Sequence, residues 1–203
     1  MNAKMYINDL PSNLDLGKEI AIDTETMGLK FNRDRLCLIQ IADGKGNTYI
    51  LQIEKDLYSA PNLSNILENK DILKIFHYAR FDVGVLYKSL NIMTRSIYCT
   101  KIASKIARTY SQNHGLKALV KEALGIDLSK EQQSSYWGNE KLSDDQIDYA
   151  SNDVIYLHKV RDHLNNILLR EDRFEIFERT CDFIPYRCKL DCLGWEDQDI
   201  FSH

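Results

Sequence analysis

Asp23 and Glu25 flank a threonine at the end of the apolar run Glu19-Ile20-Ala21-Ile22. A β-branched run that turns acidic in its last residues reads as a buried strand delivering carboxylates to a sheet edge. Strand alternation sends both acids to the same side. Close carboxylates at a partly buried edge repel each other with little screening, so such a pair calls for a cation between them. An all-oxygen ligand set favours magnesium or manganese over zinc. A strand end with solvated acids is the ordinary alternative, and the rest of the chain has to decide.

A third acid, Asp82, follows Phe76-His77-Tyr78-Ala79-Arg80-Phe81, where an apolar strand runs into a helix start. Taken alone it is an N-terminal acid favoured by the helix dipole. The fourth, Asp153, closes Tyr149-Ala150-Ser151-Asn152-Asp153 on a long helix. Residues four apart share a helical face, and Ile147, Ala150, Val154, Leu157, Leu164 and Leu168 form the neighbouring apolar stripe that must pack on the sheet. Tyr149 and Asp153 therefore lie beside the core-facing side, where an acid needs a partner.

The elements that must position these groups are legible in order. Arg35 to Ala42 is a second strand and Thr48 to Leu51 a third, joined by the turn-rich Asp43 to Asn47, so the first three strands predict an antiparallel meander. Pro61 to Glu68 predicts a short helix, Ile72 to Phe76 a strand, Phe81 to Leu90 a helix and Arg95 to Cys99 another strand. Beyond Thr100 the pattern is helical, over Lys101 to Thr109 and Leu116 to Leu124. Ser143-Asp144-Asp145-Gln146 is then a capping-box start for one helix reaching about Arg170. Strands followed by strand-helix-strand units and a helical C-terminal half imply an α/β fold with a mixed central sheet flanked by helices.

Composition excludes other classes. The 203 residues, 44% hydrophobic and 28% charged, suit one globular domain with its own core. No apolar run approaches a membrane span, and Met1 to Asp9 lack the basic start and apolar block of a signal peptide, so a cytoplasmic protein with no membrane partner is expected. Cys37, Cys99, Cys181, Cys188 and Cys192 form no C-x-x-C pair and read as reduced thiols. A net charge of −4 argues against coating long nucleic acid by bulk electrostatics. Lys101, Lys105 and Arg108 share a face of the expected helix and read as a solvated basic face.

Together, D-x-E on the first strand, F-D after a later one and Y-x-x-x-D on a late helix resemble the three motifs of the DEDD exonuclease superfamily, tyrosine subtype. The resemblance implies a ribonuclease H-like exonuclease fold, with two divalent cations, Mg2+ or Mn2+, held by Asp23, Glu25, Asp82 and Asp153. Four close carboxylates agree with a two-metal site whose ions lie about 4 Å apart. Tyr149 is implied to orient the attacking water; a phenol with a pKa near 10 serves there as a hydrogen-bonding aid and not as a general base.

Further stretches resemble the nanoRNase C branch of that superfamily, short enzymes that remove RNA dinucleotides. These are Asp34-Arg35-Leu36-Cys37, Cys99 to Lys105, His114-Gly115-Leu116-Lys117, Gln132-Gln133-Ser134-Ser135, and Leu193-Gly194-Trp195 through Ile200-Phe201. The function implied is a 3′-5′ exoribonuclease hydrolysing short RNA, chiefly dinucleotides, to 5′-mononucleotides. A ribonuclease D-like enzyme processing longer RNA or DNA 3′ ends is the alternative, and an inert nucleic-acid-binding domain a third reading. Ribonuclease D carries additional helical domains that 203 residues would not hold, so a single exonuclease domain over 1–203 is expected.

A dinucleotide enzyme must fill two base positions and refuse a third nucleotide. Leu29 matches the family's leucine that wedges between bases, with an ordinary core leucine as the other reading. His77, His114, Lys117, Gln132, Ser134 and Ser135 are candidates for contacting substrate, the last five at the 5′ phosphate. Tyr136-Trp137 either stacks a base or packs the loop down, the second being expected. The tail Asp182 to His203 holds Phe183, Tyr186, Leu193, Trp195, Ile200 and Phe201, which implies packing on the core or on another subunit. The resemblance implies a homo-octamer.

Overall fold

The computed structural model describes residues 2–30, 33–57, 59–129, 131–132 and 134–203. Six strands form one mixed sheet: β1 (Asn2–Ile7), β2 (Glu19–Thr26), β3 (Leu36–Ala42), β4 (Asn47–Gln52), β5 (Leu73–Phe76) and β6 (Ile97–Cys99), in the order β1-β4-β3-β2-β5-β6. The expected meander is present as β2-β3-β4, and β5 and β6 extend it in parallel with β2. β3 is buried along its whole length, which explains its unbroken apolar run. β1 pairs parallel to β4 at the edge and went unread in the sequence, because its exposed Met5 and Ile7 carry no core signal.

Helices cover both faces. α1 (Pro61–Leu67) and α2 (Ala79–Leu90) lie among the first elements. α3 (Thr100–Ala107), α4 (Leu116–Leu124), α5 (Asp144–Ile155), α6 (Leu157–Arg170), α7 (Phe174–Asp182) and α8 (Ile184–Leu190) follow, then one π turn over Asp191–Trp195. Ile22, Ile41 and Phe76 share one sheet face by register, and α2 packs there. Ala21, Asp23, Glu25, Leu38 and Ile50 share the other, against α5. This is the α/β, ribonuclease H-like arrangement expected.

Two expectations are corrected. The long helix is not continuous: Tyr156 breaks it, because α5 lies across β2 to β4 while α6 turns to β5, α3 and α4. Arg108 is not on a solvated face. The helix ends at Ala107, so Arg108 leaves the helical path and turns into the α3–α4 connection. It is only 2% exposed. It forms an ion pair with Glu122 and donates to Ser104 Oγ and the Asn113 carbonyl, both at 2.9 Å. Lys105 is exposed, and Lys101 is half-buried with its ammonium 4.1 Å from the Tyr78 ring centroid.

All five cysteines are reduced, and no described helix is long and apolar enough to cross a membrane. The tail is tied down through Arg80 and Arg187, the latter donating to the Trp195 and Gln198 carbonyls at 2.7 and 2.9 Å. Asp191, fully buried, takes Arg80 Nε at 2.7 Å and Arg187 at 3.0 Å, and Arg80 also donates to the Glu196 carbonyl at 2.6 Å. Past it, Leu193, Trp195, Ile200 and Phe201 are exposed. Asp191→Ala leaves two guanidinium groups without their shared carboxylate and is expected to cost about 3 kcal/mol. Thermal unfolding should show this as a loss of roughly 6–12 °C; an unchanged midpoint would mean the tail is held otherwise.

Candidate active site

β2 delivers the first two acids as its alternation requires, Asp23 opposite Gln40 and Glu25 opposite Leu38, with a register shift just after Glu25. α5 delivers the others of that face. Ser143 and Gln146 cap its start reciprocally, which fixes the helix relative to the sheet and sets Tyr149 and Asp153 one turn apart. Carboxylate oxygens of Asp23, Glu25 and Asp153 all lie within 4.8 Å of one another. Trp137 is buried against Leu38, Ile50 and Ala150, its ring 6.0 Å from that of Tyr149. It therefore packs the loop down, as expected, and walls the tyrosine.

Asp82 arrives from the opposite face, in the first turn of α2. The tight β5–α2 connection uses Tyr78 at φ 76°, a left-handed conformation costly for a residue with a side chain. Asp82 is buried, and Thr24 Oγ1 donates to it at 2.7 Å. Thr24 is the partner that sequence reasoning missed. Alternation turns it away from Asp23 and Glu25, and only the fold shows α2 waiting on that side.

The electrostatics follow from burial without compensation. Among the described residues no lysine or arginine is ion-paired to any of the four acids. Burial, followed by repulsion from Asp82, Asp153 and Glu25, holds Asp23 far above the usual carboxylate range. Burial and then Asp153 and Asp82 lift Glu25 to about 9. Burial lifts Asp82 to about 7 against the pull of Thr24. It lifts Asp153 to about 7 against the hydrogen bond from Tyr149. The Tyr149 phenol is itself pushed well up by burial and by these carboxylates. Such a set fits divalent cations: oxygen donors only, converging, and repelling one another for want of positive charge.

Leu29 is 87% exposed just beyond β2, so it is not a core leucine. His77 is half-buried at the end of β5, its Nδ1 2.9 Å from Thr100 Oγ1, and burial lowers its pKa to about 3, which keeps the ring neutral. His114 is held by Ser104 at 2.9 Å, Lys117 is exposed on α4, and Ser135 accepts from the Gln146 amide at 2.8 Å. Gln132 is half-buried and Ser134 exposed in the loop before α5, and Gln133 lies outside the described residues. Described hydrogen bonds join none of these candidates to the acids.

A family model described as 3′-5′ exonuclease matches residues 4–169. Brucella melitensis NrnC with bound Mg2+ is 44% identical, with a TM-score of 0.96 over 100% of both chains. The chain belongs to the 3′-5′ exonuclease family, on its NrnC branch. A second structure, Brucella melitensis NrnC bound to pGG, is 45% identical at TM-score 0.96, covering 100% of this chain and 99% of the other. Ribonuclease D of Sphingobium indicum is 32% identical over 81% of this chain and 42% of its own length. The chain spans less than half the length of the curated relatives it matches first. In this chain Asp23, Glu25, Asp82 and Asp153 are the residues whose chemistry suits a divalent cation.

Metal binding must therefore be linked to pH. Between the unfolded carboxylate range near 4 and about 7, the metal-free folded site binds more protons than the unfolded chain, so its stability falls as pH rises. A cation takes the ionised acids. Mg2+ should accordingly raise the unfolding midpoint by more at pH 8 than at pH 6; an equal rise at both would place the ion away from these carboxylates.

Proposed function

We propose that the chain is a metal-dependent 3′-5′ exoribonuclease that hydrolyses short RNA, dinucleotides above all, to 5′-mononucleotides. The observation that carries this is the convergence of Asp23, Glu25 and Asp153 within 4.8 Å, with no ion-paired lysine or arginine among the described residues. When bound, two Mg2+ or Mn2+ ions supply a water of lowered pKa and neutralise the charge that develops on phosphorus and on the leaving 3′ oxygen.

The chain's own residues do the rest. Asp23, Glu25, Asp82 and Asp153 hold the ions, and Thr24 keeps Asp82 turned toward them. Tyr149 keeps its proton at neutral pH, so its hydroxyl orients the attacking water by hydrogen bonding and does not act as base. Leu29, exposed just beyond the acidic strand, is assigned to slide between two bases. His77 contacts substrate as a neutral ring, and His114, Lys117, Gln132, Ser134 and Ser135 are assigned to the 5′ phosphate end. Support for a short substrate is the relative bound to pGG, whose written formula is a dinucleotide carrying a 5′ phosphate. The exposed tail residues Leu193, Trp195, Ile200 and Phe201 support a homo-oligomer, which we read as an octamer.

The test is the hydrolysis rate of 5′-phosphorylated RNA oligomers of two to seven nucleotides with Mg2+, alongside Asp23→Ala. A steep preference for the dimer, lost by a factor of roughly a thousand or more in the variant, is expected. Equal or faster cleavage of longer chains would make the enzyme ribonuclease D-like, and no cleavage at any length would leave a binding domain. Tyr149→Phe should retain metal affinity while turnover falls by roughly 10²-fold; unchanged turnover would remove the tyrosine from the mechanism.

A further inference from the structure

Gln40 sits in the middle of β3, directly opposite Asp23 on β2 and opposite Ile50 on β4. Facing residues of an antiparallel pair point the same way, with Cβ atoms about 5 Å apart. Gln40 therefore shares the face of Asp23, in the layer where Leu38, Ile50, Trp137 and Ala150 pack. It is 0% exposed, and neither end of its amide has a hydrogen-bond partner among the described residues. Its strand neighbours Ile39 and Ile41 show what this buried strand otherwise selects. A buried amide left without partners destabilises a core, and one placed beside a cluster of acids calls for a role there.

The neighbouring acids show what that role is. Asp82 is held by the Thr24 hydroxyl from the neighbouring strand, and Asp153 by the Tyr149 hydroxyl one turn back on the same helix. For Asp23 the backbone N–H of Thr24 does this, and no hydrogen bond from a side chain to it is found among the described residues. The one unengaged side-chain donor in register with it is the Gln40 amide. The carbonyl end of that amide has a donor in the same layer, the Trp137 indole N–H, which is also buried and without a partner among the described residues.

We propose that Gln40 is the positioning residue of Asp23: its Nε2–H donates to one oxygen of the ionised carboxylate and so aims the other at the cation. The inference rests on the metal-site reading above. It gives Gln40 no contact with substrate; the residue acts through Asp23 alone, by holding a ligand in one orientation.

Gln40→Met keeps the length and approximate volume of the side chain and removes both hydrogen-bonding ends. The measurement is Mn2+ binding by electron paramagnetic resonance, with the unfolding midpoint of the metal-free protein and turnover of a 5′-phosphorylated RNA dinucleotide. Expected are a metal-free midpoint no lower than wild type, Mn2+ affinity weaker by roughly 10–100-fold, and turnover partly restored by raising Mn2+. Unchanged Mn2+ affinity would overturn the proposal and leave Gln40 a filler of volume. A Mg2+-loaded structure of the unsubstituted protein tests the same point without any variant: Gln40 Nε2 is expected within about 3.2 Å of an Asp23 oxygen, and a clear separation overturns it. If the unsubstituted protein bound no Mn2+, the metal-site reading itself would fall and this inference with it. Intact wild-type binding with an unaffected Gln40→Met fells the inference alone.

Discussion

Carboxylates forced together in a poorly solvated place are the constraint on which this molecule turns. Two like charges about 5 Å apart repel by roughly 3 kcal/mol at an effective dielectric near 20, and here each acid meets several others. No flexible loop would hold such a group. The acids therefore stand on the most rigid parts of the fold: Asp23 and Glu25 on a strand paired on both sides, Asp153 on a helix with a full capping box, Asp82 in the first turn behind a strained connection. The acids stay together because each backbone that carries them is fixed by packing elsewhere, and protonation or a cation relieves what remains.

That arrangement also explains the use of both sheet faces. Asp23 and Glu25 look toward α5, and Thr24 between them looks toward α2. A single three-residue step thus supplies two acids to one face and a hydroxyl that reaches Asp82 behind the edge. The site is assembled around the C-terminal end of β2, where neighbouring helix and strand ends converge. Trp137 and Leu142 close the α5 side with an apolar wall, against which Tyr149 packs.

The parts readable from sequence were those governed by one element's own period. Alternation placed Asp23 beside Glu25, and the four-residue helical repeat placed Tyr149 beside Asp153. The capping signature at Ser143 located the helix start to the residue. What escaped depended on where another element lies. Thr24 looked like a spacer because its partner arrives from 58 positions away. A helix continued to Thr109 would leave Arg108 on a solvated face, but the helix ends at Ala107, and at the next residue the direction of the side chain is set by Glu122 and the Asn113 carbonyl. The break at Tyr156 follows from the different partners of α5 and α6, a demand that no local pattern records.

The link between the acidic site and the tail belongs to the same class of long-range dependence. Arg80 lies two residues before Asp82 in the first turn of α2, and it is gripped by Asp191, which Arg187 also grips. A fully buried carboxylate shared by two guanidinium groups has a narrow set of satisfactory geometries, so the start of α2 and the turn after α8 are fixed relative to each other. Leu193, Trp195 and Phe201 therefore lie on a segment coupled through one ion-pair cluster to the helix turn that carries Asp82. An exposed apolar tail on an independent segment could be covered or uncovered without consequence for the site. Here the covalent path from the exposed patch to the buried Asp191 is only a few residues, and the non-covalent step from Asp191 to the Asp82 turn is a single side chain.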